Sequence, residues 1–151
     1  MDEIERLAAI ADITHLVYEY ARFADLNRPE DQAATFASDG VADYAGSDIV
    51  GPAAIAAAVA PALNEWVASC HTISNVQVDV ASPTSATAVC YLYAWRRIDP
   101  TGAGDYEVRG QYHDELVRTH EGWRFARRTF LTMAATPPRP DVPHIDRRPS
   151  S

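Results

Sequence analysis

One carboxylate and one imidazole stand where acid/base chemistry could begin. Asp25 closes a run of helical periodicity, and an aspartate there opposes the helix dipole at a cost of a few tenths to about 1 kcal/mol. A cationic or hydrogen-bonding neighbour such as a histidine would relieve that cost, although Asp25 could equally cap the turn before Pro29. His71 opens the first of the long β-rich segments, directly after a helical one, which puts it at the rim or floor of any cavity between the two. Alone it reads as structural. Beside a carboxylate an imidazole gains a fixed tautomer and the basicity that a general base needs near neutral pH. Tyr20, Tyr44, Tyr112 and His113 are further polar groups that such a fold must bury or leave in water. His71, His113, Asp25 and Asp114 could in number hold zinc or iron, but no HxH or HxxxH pair occurs, so the site reads as metal-free.

The elements that position these groups follow from periodicity. Ile4, Leu7, Ala8 and Ala11, then Ile13, Val17, Tyr20 and Ala24, recur at three- and four-residue steps and predict a long helix over Asp2–Asp25, broken near Asp12. Asn27-Arg28-Pro29 stops it, and Pro29 opens a short second helix to Ala37. Val41–Tyr44 is a short strand, and Gly51-Pro52 opens an alanine-rich third helix that Pro61 restarts before it ends near Val67. After Cys70 the period changes. Thr72–Val80, Ala86–Ile98, Tyr106–Thr119 and Trp123–Met133 are rich in Val, Tyr, Trp, Thr and Phe and predict four strands joined as a meander by short turns. Helices followed by hairpin-linked strands imply an α+β fold with helices packed on a curved antiparallel sheet. One domain is expected over residues 1–133. The remaining 18 residues (134–151), rich in proline and arginine, read as extended or disordered, or as a strap over a neighbouring subunit.

Composition excludes several functions. A chain of 151 residues buries roughly 70% of its unfolded surface, enough for one real core. A net charge of -8 repels phosphate backbones, so nucleic acid is not an expected partner, and the arginines are scattered apart from pairs such as Arg96-Arg97 and Arg127-Arg128. Every one of the 13 basic residues is arginine, which removes Schiff-base lysines, lysine-anchored pyridoxal phosphate and phosphate-loop lysines. Cys70 and Cys90 read as small buried thiols. The acidic start and the absence of a long apolar run predict a cytoplasmic protein with no membrane partner.

Several segments, in order and spacing, resemble the SnoaL-like branch of the nuclear transport factor two-like superfamily. They are Tyr20-Ala21-Arg22-Phe23-Ala24-Asp25, Thr35 to Val41, Gly51 to Ile55, His71 to Asn75, Gly110-Gln111-Tyr112-His113-Asp114 and Gly122-Trp123-Arg124-Phe125. The resemblance implies a cone-shaped barrel, cystatin-like in fold, with a ligand at its open end and assembly as a homodimer or homotrimer through the sheet. Members include polyketide cyclases, ketosteroid isomerase, limonene epoxide hydrolase, scytalone dehydratase and bile acid dehydratase, so the fold does not select a reaction.

Similarity to the bile acid dehydratase type implies catalytic roles for Tyr20, Asp25 and His71, and similarity to scytalone dehydratase adds Tyr44 and His113. Two departures stand out: Ala86–Ile98 has no acidic residue where the bile acid enzymes carry a functional aspartate, and Ala24 replaces a tyrosine of scytalone dehydratase. Strand alternation forbids both Tyr112 and His113 from lining the pocket, and His113 is slightly favoured. Phe23, Trp66, Tyr91, Tyr93, Trp95, Tyr112 and Phe130 are the candidate substrate contacts. The expected function is a cofactor-independent dehydratase, isomerase or cyclase acting on an apolar cyclic or polyketide-like carbonyl compound. A small-molecule binder using the same pocket is the alternative, and a pure assembly domain with a filled barrel is a third.

Overall fold

The computed structural model describes residues 1–44 and 46–138, and in it three helices cover one face of a curved six-stranded sheet. α1 (Glu3–Asp25) begins at a capping box, in which the Asp2 carboxylate accepts from the Glu5 N–H and the Glu5 carboxylate from the Asp2 N–H. The helix runs unbroken through Asp12 because Ala9, Ile13, Val17, Tyr20 and Ala24 keep one apolar face against the sheet. It stops where Asn27 takes a φ of 51°, a left-handed conformation that asparagine tolerates.

α2 (Pro29–Ala33) is shorter than expected. The Phe125 N–H donates to the Thr35 carbonyl at 3.0 Å and Phe36 pairs with Phe125, which draws residues 35–37 out of the helix and towards the sheet. β1 (Phe36–Tyr44) therefore starts earlier than the alternation suggested. β2 (Ser47–Val50), which pairs with β1, has too little alternation to be read from sequence. α3 (Pro52–Glu65) is one helix, with Pro61 inside it rather than at a restart; the flanking alanines are the strongest helix formers available.

β3 (Ala68–Ser82), β4 (Ser85–Arg97), β5 (Tyr106–Thr119) and β6 (Gly122–Thr136) form the expected meander, and the sheet order is β2-β1-β6-β5-β4-β3. The sheet is mixed rather than wholly antiparallel. β1 runs parallel to β6, which is open to it because α3 and four strands intervene in the chain. β6 continues to Thr136, past the domain end expected at residue 133, and the tail from residue 139 onward lies outside the described residues.

Alternation decides what faces the helices. On β4 the buried set is Ala86, Ala88, Cys90, Leu92 and Ala94; on β5 it is Val108, Tyr112, Asp114 and Leu116. Cys90 is buried as expected, whereas Cys70 is exposed, because its place beside His71 on β3 turns it to the opposite face. On β6 a bulge between Phe125 and Arg127 shifts the register, so Phe125 and Arg128, of opposite parity, are both wholly buried. No helix among the described residues is long and apolar enough to cross a membrane.

Gly110 lies on β5 beneath the Phe130 ring and the Leu131 carbonyl, where an added Cβ would overlap both. Gly110→Ala should destabilise the fold by about 1–3 kcal/mol, read as a lower urea midpoint at unchanged slope. An unchanged midpoint would mean that the strand yields there at no cost.

Candidate active site

A cavity of about 310 Å³ opens between α1, α3 and the inner face of β3–β6, with Ala58, Val59, Ala62 and Leu63 of α3 forming an apolar wall. His71 lines it, and the His71 side chain is 4% exposed. Its Nδ1 lies 2.6 Å from Asp25 Oδ1. Asp25 also accepts the His71 backbone N–H at 2.9 Å and the Ser69 hydroxyl at 2.7 Å. The end of α1 is thereby fastened to the start of β3, and three donors relieve the unfavourable position of a carboxylate at a helix C-terminus. Burial acts against the charged carboxyl, but the hydrogen bonds from His71 and Ser69 outweigh it and hold Asp25 below its ordinary value. With Nδ1–H given to Asp25, the imidazole presents the Nε2 lone pair elsewhere. The Trp66 ring covers the imidazole at 5.8 Å between centroids.

Tyr20 and Tyr44 also line the cavity, and their hydroxyls hydrogen-bond to each other. Burial raises the pKa of both phenols above the ordinary range, so they stay protonated. Only one of the two protons is used in the mutual bond. The other can be donated to a ligand.

Beneath the phenols lies a charged pair sealed from solvent. Arg128 donates to Asp114 through Nε at 2.8 Å and Nη2 at 2.7 Å, and both side chains are 0% exposed. The guanidinium carbon sits 3.9 Å from the Phe125 ring centroid, 4.2 Å from that of Tyr112 and 4.3 Å from that of Tyr20. Burial opposes the charge on Arg128, and the Asp114 carboxylate more than offsets it. Among the described residues, no group of three or more His, Cys, Asp and Glu side chains is placed to hold a metal ion.

Of the side chains singled out from the sequence, Tyr20, Tyr44, His71, Trp66, Tyr112 and Phe130 surround this cavity, with Asp25 behind His71. His113 does not, contrary to expectation: it is exposed on the other face of β5, bonded to Gln111 at 3.0 Å, and Tyr112 takes the inner position. Phe23 borders a separate cleft beside Trp123. Tyr91 and Tyr93 lie on the outer sheet face with Arg109, and Trp95 turns out to bond Asp105, so none of these four contacts the cavity.

A SnoaL-like domain model matches residues 5–129, a span that includes Tyr20, Asp25, His71, Asp114 and Arg128. The chain belongs to the SnoaL-like domain family. No curated protein matches it. Among solved structures, a Novosphingobium aromaticivorans protein provisionally named a scytalone dehydratase is 26% identical, with a TM-score of 0.88 over 97% of this chain and 99% of that one. The hexachlorocyclohexane dehydrochlorinase LinA-type3 of Novosphingobium barchaimii is 17% identical, with a TM-score of 0.78 over 97% and 100%, a likeness of fold. A nuclear transport factor two-like protein with a cystatin-like fold, also from Novosphingobium aromaticivorans, is 25% identical, with a TM-score of 0.65 over 84% and 83%.

Three groups in this SnoaL-like domain escaped the sequence reading: the Arg128–Asp114 pair, Ser69, and Arg96, which lines the cavity from β4. Two of them carried a visible signal. Adjacent residues of a strand face opposite ways, so each arginine pair sends one guanidinium inward, and Asp114 shares parity with Tyr112 on β5.

Arg128→Met should cost about 3–5 kcal/mol, because it leaves Asp114 buried without a partner, and the double change Arg128→Met/Asp114→Leu should recover much of that loss in denaturant titrations. Equal losses from the single and double variants would show that the arginine matters for its volume alone. Asp25 offers a second check. Its carboxyl is held lower in the folded state than in the unfolded chain, so its contribution is complete above the ordinary value of 3.8 and fades as pH falls below it. The stability gap between the wild type and Asp25→Asn should therefore be widest at neutral pH and close in acid; a gap constant across that range contradicts the assignment.

Proposed function

We propose that this protein is a cofactor-independent acid/base enzyme of the lyase or isomerase type, acting on a small, mainly apolar cyclic carbonyl compound. The observation that carries the reading is the 2.6 Å contact between Asp25 and a His71 that opens on an apolar cavity. At about 310 Å³ the cavity lies at the small end of ligand sites, which suits one or two fused rings. Named neighbours of the same fold include a dehydrochlorinase and a provisional dehydratase, both eliminating activities, which adds weight to a lyase.

In this reading His71 Nε2 takes a proton from the carbon next to the carbonyl. The C–H electron pair becomes a C=C bond, and the carbonyl pair moves onto oxygen as an enolate. Asp25 holds the ring in the tautomer that leaves Nε2 free and balances the imidazolium that forms. Tyr20 or Tyr44 donates its spare proton to the enolate oxygen. For dehydration the enolate re-forms the carbonyl and expels a β-hydroxyl, which takes the proton from the imidazolium and leaves as water. For isomerisation the same proton returns to a different carbon. The open cavity bordered by His71 argues against a purely structural domain, for which a filled barrel is expected.

A panel of cyclic ketones and β-hydroxyketones tests the proposal, with α-proton exchange in deuterium oxide followed by NMR and water loss followed by enone absorbance. His71→Ala and Asp25→Asn should each slow the reaction by roughly 10²- to 10⁴-fold while the circular dichroism spectrum is kept. Wild-type rates in both variants would sink the dyad. A wild type that binds panel members but returns them unchanged would identify a binding protein.

A further inference from the structure

The inner face of β4 ends in a charge. Ala88, Cys90, Leu92 and Ala94 are buried on that face, and Arg96 continues it two residues on. Its pairing partners are Ser69 of β3 and Tyr106 of β5, so it shares the face of the sheet that carries His71, and it lines the same cavity. Arg97, its neighbour, turns outward and is fully engaged: it donates to Asp105 at 3.1 and 2.8 Å and stacks on Trp95. Arg96 has no such partner. Among the described residues it makes no ion pair, and its buried Nε has no hydrogen-bond acceptor.

What holds Arg96 is aromatic. Its guanidinium carbon is 4.4 Å from the Trp66 ring centroid and 5.6 Å from that of Tyr106. Stacking of this kind occupies the faces of a guanidinium and leaves its edges, where the N–H donors lie, open for bonding. Burial lowers the pKa of Arg96, the mark of a cation short of compensation, although an arginine stays protonated. The other charges of the site are already matched: Asp114 by Arg128, and Asp25 by the three bonds from His71 and Ser69. A ligand entering the cavity therefore meets one cation whose donors await an acceptor, amid apolar walls.

The geometry points to Arg96 as an anion-recognising residue, and to a substrate that carries a carboxylate on its apolar ring system. A carboxylate fits better than the enolate of the reaction. An enolate exists only fleetingly and has the Tyr20–Tyr44 pair to receive it, whereas a permanent anion compensates the cation in the resting complex and presents two oxygens to the forked guanidinium edge. Arg96 is here a binding and specificity residue, and the inference builds on the proposed reaction by naming the class of compound that enters the same cavity.

The test measures binding rather than turnover, so the two proposals can fail separately. Aromatic and alicyclic acids of one or two rings, 2-naphthoate among them, are titrated calorimetrically at neutral pH, each beside its neutral amide. The wild type should bind at least one acid roughly tenfold or more tightly than its amide. Arg96→Met should abolish that preference while still binding the amide, Arg96→Lys should weaken it, and His71→Asn should keep it. The inference is overturned if no acid outbinds its amide on the wild type, a result that needs no variant to fold, or if Arg96→Met retains the preference. A retained preference in a His71→Asn protein that still exchanges ketone α-protons at the wild-type rate supports Arg96 and removes the dyad instead.

Discussion

Arg128 and Asp114 face each other on neighbouring strands with neither side chain reaching water, and an isolated charge there would cost several kcal/mol. Much of the interior is arranged to meet that demand. The bulge between Phe125 and Arg127 turns Arg128 inward three residues after the buried Phe125, and the rings of Phe125, Tyr112 and Tyr20 enclose the guanidinium. Tyr20 is thus fixed from below by a cation and reaches sideways to the hydroxyl of Tyr44. Where α1 sits over the sheet, and where the phenols of the cavity point, follow from how this pair is covered.

The other end of the cavity is organised by a second carboxylate under different constraints. Asp25 is partly in water, at the last turn of α1, and gains from any donor that offsets the helix dipole. Two of its three bonds come from one residue, through the backbone and the ring of His71. The backbone bond fixes where β3 begins, and the side-chain bond fixes the ring. An imidazole tied at both points cannot swing into the cavity, so one nitrogen is reserved for Asp25.

This division explains what could be read from the sequence. The helix-then-meander order and the ends of β5 were legible because each rests on local features, periodicity and turn residues, whereas the meeting of Asp25 with the distant His71 was suggested by the awkward position of an aspartate at a helix end together with the family resemblance. The short reach of α2 and the parallel pairing of β1 with β6 were not, since both depend on what β6 offers from far along the chain, and the four-residue edge strand β2, paired with β1 alone, shows too little alternation. The facing of the aromatics failed for another reason. Tyr91, Tyr93 and Trp95 on β4 are aromatic like Phe130 on β6, and only parity, counted from a correctly anchored strand, separates inner from outer, while Phe23 sits on α1, where the helical period decides its facing. His113 and Tyr112 show the same limit, because Leu116 and Val117 gave no anchor, whereas the run of small residues on β4 would have supplied one and carried it on to Arg96.

Sorting by environment then gives the polar groups of the cavity distinct capacities. Burial raises the phenols of Tyr20 and Tyr44, so they keep their protons, and the one not spent on their mutual bond is there to be donated. Hydrogen bonds lower Asp25, so it keeps its charge and acts only as an acceptor. Neither kind of group can both take and return a proton, and a reaction that moves one needs such a group. Among the side chains gathered at this site, the imidazole of His71 has that chemistry, with one nitrogen committed to a fixed anion and the other left for the ligand. The proposed reaction asks for donors, an acceptor and an exchanger in one apolar space, and their separation by burial and bonding leaves each role to a different residue.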